Sequence, residues 1–241
     1  MIEAVTFDYW NTLVREEAGS SRDHRLDAWM GILEDEGFAV ERELLGAAFE
    51  SSWQRFLEVW QENEAQYTAA EAAAQIVEEL GYSLPRDVHE RLVETFSTAG
   101  SVAKRHLTLH VRECLVELKA AGVRLGIICD VGMTPSVALR GFLESEGVLS
   151  LFDHWSFSDE VGAYKPSPVI FEHALAGLGG VAPDRAAHVG DLKRTDVAGA
   201  RAFGMTSVRY TGVFDDAESE GDEADLVVAD HSLLAKELGA S

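Results

Sequence analysis

The sequence predicts an α/β protein: a parallel sheet covered by helices on both faces, with a block of helices inserted after its first strand. Two observations carry this reading. Short apolar, β-rich runs recur, and helix-like segments lie between the later ones, the alternation that parallel strands joined by crossover helices produce. Between about residue 15 and residue 100, by contrast, apolar residues recur at helical spacing with no strand among them.

In chain order, EAVTF near the N-terminus is the first strand, and FDYWNTLV puts Asp8 directly after its apolar run. RDHRLDAWMGILEDEGF, ELLGAAFESSWQRFLEVWQEN, TAAEAAAQIVEELGY and PRDVHERLVETFS then read as four helices. Thr68 with Glu71 fits a capping box, and Pro85 suits the first turn of the fourth helix. Trp29, Trp53, Phe56 and Trp60 are expected to form the core of this helical unit. The α/β pattern resumes with strands at VRLGIIC (123–129), AAHVG (186–190), TSVRY (206–210) and ADLVV (224–228). Its helices are VRECLVELKAAG, SPVIFEHALAGLG and DVAGARAFG, each ending near a glycine, as helix C-termini often do. The acidic run DDAESEGDEAD, Asp215 to Asp225, reads as a solvated surface excursion.

The bulk numbers narrow the function. The 241 residues suffice for one large domain or two, and 46% hydrophobic residues supply ample core. A net charge of -22 repels phosphate backbones and anionic lipid, so neither nucleic acid nor a membrane surface is an expected partner. An anionic small molecule remains admissible where a metal ion or a local lysine offsets the field. Two cysteines, Cys114 and Cys129, imply no disulfide framework. With no leader-like segment and no run long enough to span a bilayer, a cytoplasmic location is expected.

Three stretches carry chemistry. Asp8 lies at the carboxyl end of the first strand, where ligands of open α/β sheets sit, although Asp also caps turns. HVGDLKRTDVAGARAFGM places Asp191 just after a strand and Asp196 five residues on, opening a helix. With Asp8 these carboxylates make an oxygen-rich site suited to Mg²⁺, although Asp196 also fits a purely capping role. Gly190 lets the backbone approach closely there. In EVGAYKPSPVIFEHAL, Lys165 is either a solvated surface charge or the cation that neutralises a phosphoryl group.

Together these stretches resemble the haloacid dehalogenase superfamily of hydrolases, in the subgroup with a helical cap inserted after the first strand. The likeness runs over nearly the whole chain, through FDYWNTL, GIICDVGMTP, YKPSPVIFEHAL and HVGDLKRTD in that order. It implies a Rossmann-like doubly wound parallel sheet, with a core of residues 1–14 and 101–241 and a helical cap of residues 15–100. It implies that Asp8 is the nucleophile and becomes an aspartyl-phosphate, and that Lys165 supports the anionic centre. Mg²⁺ would be held by Asp8, Asp191 and the main-chain carbonyl of Trp10, with Asp196 ordering the metal site. Thr12, Cys129 and Asp130 occupy places that bind the phosphoryl group.

The chain also departs from the family pattern. Phosphatases of this kind carry a second Asp two places after the nucleophile; here Trp10 stands there, and an indole cannot shuttle a proton. Asn11 replaces a glycine, a mild change because Asn tolerates left-handed backbone angles. Cys129 replaces a Ser or Thr and is expected to be a small buried residue at a strand end. Asp130 replaces an Asn and offers another carboxyl from which a proton could come. The leading expectation is a Mg²⁺-dependent phosphatase of a small phosphorylated metabolite. A 2-haloacid dehalogenase-like hydrolase and a catalytically weak binding protein stay open beside it. Arg22, His24 and Arg25 are candidates to meet a substrate anion, each with surface exposure as the plainer expectation. Substrate identity and oligomeric state are not legible.

Overall fold

The computed structural model of the chain describes residues 1–63 and 67–239. Among the described residues eight strands form: β1 (Ala4–Phe7), β2 (Val14–Glu16), β3 (Arg105–Leu107), β4 (Arg124–Cys129), β5 (His154–Phe157), β6 (Ala186–Gly190), β7 (Thr206–Tyr210) and β8 (Leu226–Val228). Six of them make one sheet in the order β5-β4-β1-β6-β7-β8, every pair parallel. β1 is the centre and the switch point: the chain places β4 and β5 on one side of it and β6 to β8 on the other. Ala4 aligns with Arg124 and with Ala186, and all four β1 residues are buried. That is the continuous apolar reading expected of a strand covered on both faces. β2 and β3 pair antiparallel as a separate ribbon.

The helices are α1 (Ser20–Asp35), α2 (Arg42–Asn63), α3 (Ala69–Glu79), α4 (Arg86–Val102), α5 (Val111–Ala120), α6 (Ser136–Ser145), α7 (Ser158–Val161), α8 (Pro168–Gly177), α9 (Ala198–Phe203) and α10 (Leu234–Glu237). The chain divides into two compact units. One is Met1–Glu16, Arg105–Asp130 and Leu143–Ser241; the other is Glu17–Lys104 and Val131–Phe142. The stretch directly after Asp130 therefore groups with the helices α1 to α4.

In the helical unit, Leu26, Trp29, Leu33, Leu45, Phe49, Ile76 and Phe96 form the buried centre. The Trp29 indole donates to the Thr95 hydroxyl at 2.8 Å, which lets a polar N–H stay inside. Phe56 is buried and Trp60 partly so, but Trp53 is 44% exposed, against its expected place in the core. The buried positions of α2 are 45, 46, 48, 49, 52 and 56, and position 53 falls just outside that stripe. The capping box at α3 forms in full: Thr68 accepts from the Glu71 amide, and Glu71 accepts from the Thr68 amide. Pro85 stands at the N-cap of α4 and not inside its first turn. Arg25, for which surface exposure was the plainer expectation, is buried in this unit. Its guanidinium donates to Thr134 Oγ1 at 3.1 Å and lies 4.9 Å from the centre of the Phe96 ring.

In the α/β unit the acidic run from Asp215 to Asp225 differs from a free excursion. It is largely exposed, but Arg209 forks onto Glu223 and also bonds Asp215, and buried Asp216 accepts from the Lys193 amide at 2.7 Å. Arg209 holds the Glu223 carboxyl down at about 2.

Candidate active site

The site is built at the carboxyl end of β1. The Asp8 amide makes the last sheet bond, donating to Val189 O at 2.8 Å, and the chain then turns. Tyr9 O accepts from the amides of Leu13 and Val14, and the Asn11 amide donates back to Val14 O. Closing that loop requires a left-handed residue, which is Asn11 at φ 56°. An Asn takes that conformation at lower cost than most side chains. Its side-chain amide then donates to Asp191 Oδ2 at 3.1 Å, so the loop is tied to the strand end beside it.

Lys165 is 2% exposed and donates from Nζ to Asp8 Oδ1 at 2.5 Å and to Asp196 Oδ1 at 2.6 Å. Of the two readings its sequence allowed, the solvated surface charge is ruled out by burial. Burial opposes its charge, but Asp196 and Asp8 outweigh that, and the ammonium is held well above its ordinary range. The Lys165–Pro166 bond is cis, and the Lys165 amide donates to Asp130 Oδ1 at 3.0 Å. Asp130 thus fixes the backbone from which the lysine projects.

Asp196 sits in a π-helical turn, Lys193–Val197, with α9 starting only at Ala198. Its Oδ1 accepts from Lys165 and from His188 Nε2 at 3.0 Å, and its Oδ2 accepts from the Leu192 amide at 3.0 Å. Burial works against ionisation here, yet Lys165 and His188 prevail and the carboxyl is held well below its ordinary range. Gly190 is required by the same packing: a Cβ there would lie 2.1 Å from Asp196 Cγ. Burial lowers the affinity of His188 for a proton, against the pull of Asp196. Since a carboxylate only accepts, Nε2 carries the hydrogen, and Nδ1 accepts from the Thr6 hydroxyl at 2.9 Å. Thr6 and His188 are residues to which the sequence alone assigned no role.

Asp8 and Asp191 have less support. Burial first, then the charge of Asp196 and Asp130, pushes Asp8 up to about 7 against the pull of Lys165. Asp191 is raised well above the ordinary carboxylate range by burial, and then by Asp8 and Asp196. Two buried carboxylates, one of them raised by the other, leave a deficit of positive charge. The donor set is all oxygen, which suits a hard divalent cation such as Mg²⁺. Among the described residues no three His, Cys, Asp or Glu side chains cluster as metal ligands, so such an ion would also need main-chain oxygen or water.

Trp10 turns away from this chemistry. Its ring lies edge-on to Tyr9 and 5.1 Å from the guanidinium of Arg105 on β3. Arg105 is buried and donates to Glu16 across the ribbon at 3.0 Å. Cys129 closes β4, fully buried, and burial pushes its thiol well above its ordinary range, so it stays protonated. Thr12 is fully buried; its carbonyl accepts from Thr108 Oγ1 at 2.6 Å and His231 Nε2 at 2.9 Å. The Thr12 hydroxyl has no hydrogen-bond partner among the described residues.

A parallel sheet whose switch point carries a carboxylate, faced by a buried lysine and two more carboxylates, is the architecture of an aspartate-centred α/β hydrolase. The profile of the haloacid dehalogenase-like hydrolases matches residues 2–204, and the chain belongs to that family. It is 35% identical over 127 residues to the glyceraldehyde 3-phosphate phosphatase of Methanothermobacter thermautotrophicus, covering 52% of this chain and 54% of that one. It is 35% identical over 124 residues to the ribulose-1,5-bisphosphate 5-phosphatase of Halopiger xanaduensis, covering 51% and 50%. The chain thus spans about half the length of the curated relatives it matches. Among solved structures it shares its fold with a 2-haloacid dehalogenase from Pseudomonas syringae (TM-score 0.70, 22% identity, 99% of each chain). It does so also with a HAD phosphatase from Thermococcus onnurineus (TM-score 0.66, 24% identity, 100% and 99%). No described helix is long and apolar enough to cross a membrane.

Proposed function

We propose that this hydrolase is a Mg²⁺-dependent phosphatase of a small phosphorylated metabolite, acting through an aspartyl-phosphate on Asp8. The observation that carries the reading is the buried Lys165 shared by Asp8 and Asp196, with the under-supported Asp191 beside it. An Asp8 oxygen attacks phosphorus, the P–O bond to the leaving group breaks, and an acyl phosphate forms. Water then attacks the same phosphorus, releasing inorganic phosphate and regenerating the carboxylate. Lys165 orders Asp8 and faces the anionic group. The Thr12 hydroxyl and the Cys129 thiol offer donors to the phosphoryl oxygens. Asp8, Asp191 and the Trp10 carbonyl would hold Mg²⁺, which when bound supplies positive charge to the phosphoryl oxygens. Asp196, whose oxygens already accept from three close donors, serves by holding Lys165 and the Leu192 amide in place.

The triose and pentose phosphates named for the relatives set the class to screen first. The chain is assayed on phosphorylated metabolites and on 2-haloacids, with Mg²⁺ and with chelator. Phosphate release that needs Mg²⁺ and vanishes in Asp8→Asn, with the fold intact, is the expected result. A second reading, a metal-independent 2-haloacid dehalogenase, is favoured by Trp10 alone; chloride release in chelator would put it first. A chain active on neither class is a binding protein.

A further inference from the structure

The segment after β8 lies outside the residues that match the family profile, yet it reaches the loop that carries Asp8. His231 is fully buried; its ring stacks on Tyr210 with centroids 4.2 Å apart and planes 16° apart, and it tilts against Phe7 of β1 at 6.2 Å. A carbonyl can only accept, so the Nε2 contact to Thr12 O at 2.9 Å fixes the hydrogen on Nε2. Thr108 Oγ1 donates to the same carbonyl at 2.6 Å, and its amide donates to Leu13 O at 3.0 Å. The Thr12 carbonyl is thereby gripped by two donors at the far end of the turn that starts at Asp8.

We propose that His231, with Thr108, is a positioning residue that holds the Asp8–Val14 turn in its reactive geometry through the Thr12 carbonyl. The proposal rests on the phosphatase reading for its kinetic readout only. Without the two donors, Thr12 O loses its anchor, and the turn's own bonds from the amides of Asn11, Leu13 and Val14 open more often. The turn can then shift relative to Lys165, whose backbone Asp130 holds, as far as the Asn11–Asp191 and Leu13–Thr108 bonds allow. A displacement of about 1 Å at a reacting atom costs on the order of 10²-fold in rate.

The test compares His231→Phe, which keeps an aromatic face for Tyr210 and loses the donor, with His231→Gln, which keeps a donor and loses the face. Thr108→Val removes the second donor with little change of shape. Turnover of an aryl phosphate with Mg²⁺, thermal unfolding and amide exchange are measured for each. In His231→Phe, kcat is expected to fall about 10- to 100-fold with KM nearly unchanged. His231→Gln should stay within about threefold of the parent while losing more thermal stability than His231→Phe, and Thr108→Val should repeat the kcat loss in weaker form. If kcat instead follows the melting temperature across the three variants, His231 is a packing residue and the proposal falls. Exchange at the amides of Asn11, Leu13 and Val14 should quicken in His231→Phe and not in His231→Gln; unchanged exchange in His231→Phe also overturns it. A parent inactive on every ester, with that exchange pattern present, would sink the phosphatase reading and leave the positioning role standing.

Discussion

Asp191 and Asp196 stand at the two ends of one short segment, both buried, both expected from sequence to serve a metal, and they are supported in opposite ways. Asp196 accepts from an ammonium, an imidazole N–H and a main-chain amide, and is more acidic than a free carboxyl. Asp191 accepts from one neutral side-chain amide and is less acidic than a free carboxyl. The protein finishes one carboxylate itself and leaves the other unfinished. A buried charge without a partner costs several kcal/mol, so an incomplete carboxylate at a strand end fits the proposed cation site. A complete one marks scaffolding.

That contrast predicts effects of opposite sign. Asp196→Asn leaves Lys165 only Asp8 as a charged partner and should destabilise the metal-free protein by about 3–5 kcal/mol, as breaking a buried ion pair does. Asp191→Asn removes a repelling charge and should raise the melting temperature in chelator. It should also abolish any rise on adding Mg²⁺, together with most activity. Thermal unfolding of parent and both variants, with and without Mg²⁺, checks this; destabilisation of both to the same degree would erase the distinction.

A smaller effect is expected at Trp10. General acid–base help is typically worth about 10²–10⁴-fold, but a carboxylate at position 10 would stand beside Arg105, pair with it and hold its proton weakly. Trp10→Asp should therefore improve alkyl phosphates relative to aryl phosphates by no more than about 10-fold. A larger gain would mean that the new carboxyl escapes Arg105.

The smallest net effect is in the pH dependence of stability, where two buried groups pull in opposite directions. Burial drops His231 to about 4, so the unfolded chain takes up its proton from near pH 6.5 downward and the folded chain does not. Its share of stability is present above pH 6.5 and lost as pH falls toward 4, by roughly 3 kcal/mol in total. Asp8, raised to about 7, acts the other way: the metal-free protein loses stability as pH rises from about 4 to 7. Denaturant melts should show the parent weakening relative to His231→Phe on acidification, and weakening relative to Asp8→Asn on going from acid to neutral pH.

What sequence reasoning captured was periodic or local. The long amphipathic helices, the capping box at Thr68, the buried strands and the left-handed tolerance of Asn11 are all set by neighbours within a few residues. β5 was missed because HWSF is short and half-polar, an edge strand with one covered side. β2 and β3 were missed because three residues give no pattern to read. The burial of Arg25 depends on Thr134, 109 residues away, and the grip of His231 on Thr12 spans 219 residues. At the site, the types and order of Asp8, Lys165, Asp191 and Asp196 were legible. Their unequal support was not, because it comes from Thr6 on another strand, from a main-chain amide and from a His188 contact that residue spacing alone does not reveal.

The central place of β1 also bears on how the protein is made. Ala4–Phe7 leaves the ribosome before the rest of its sheet, yet Thr6 bonds His188, 182 residues later. At about 5–20 residues per second, roughly ten to forty seconds pass before that neighbour exists. Through that interval a strand whose four residues all end up buried has at most one side covered, and only once β4 has emerged. The nascent chain is then most exposed to aggregation, while the helices α1 to α4, whose contacts are nearer in sequence, can form ahead of it. Yield in the cell should therefore depend on what shelters the first strand as much as on the stability of the finished sheet.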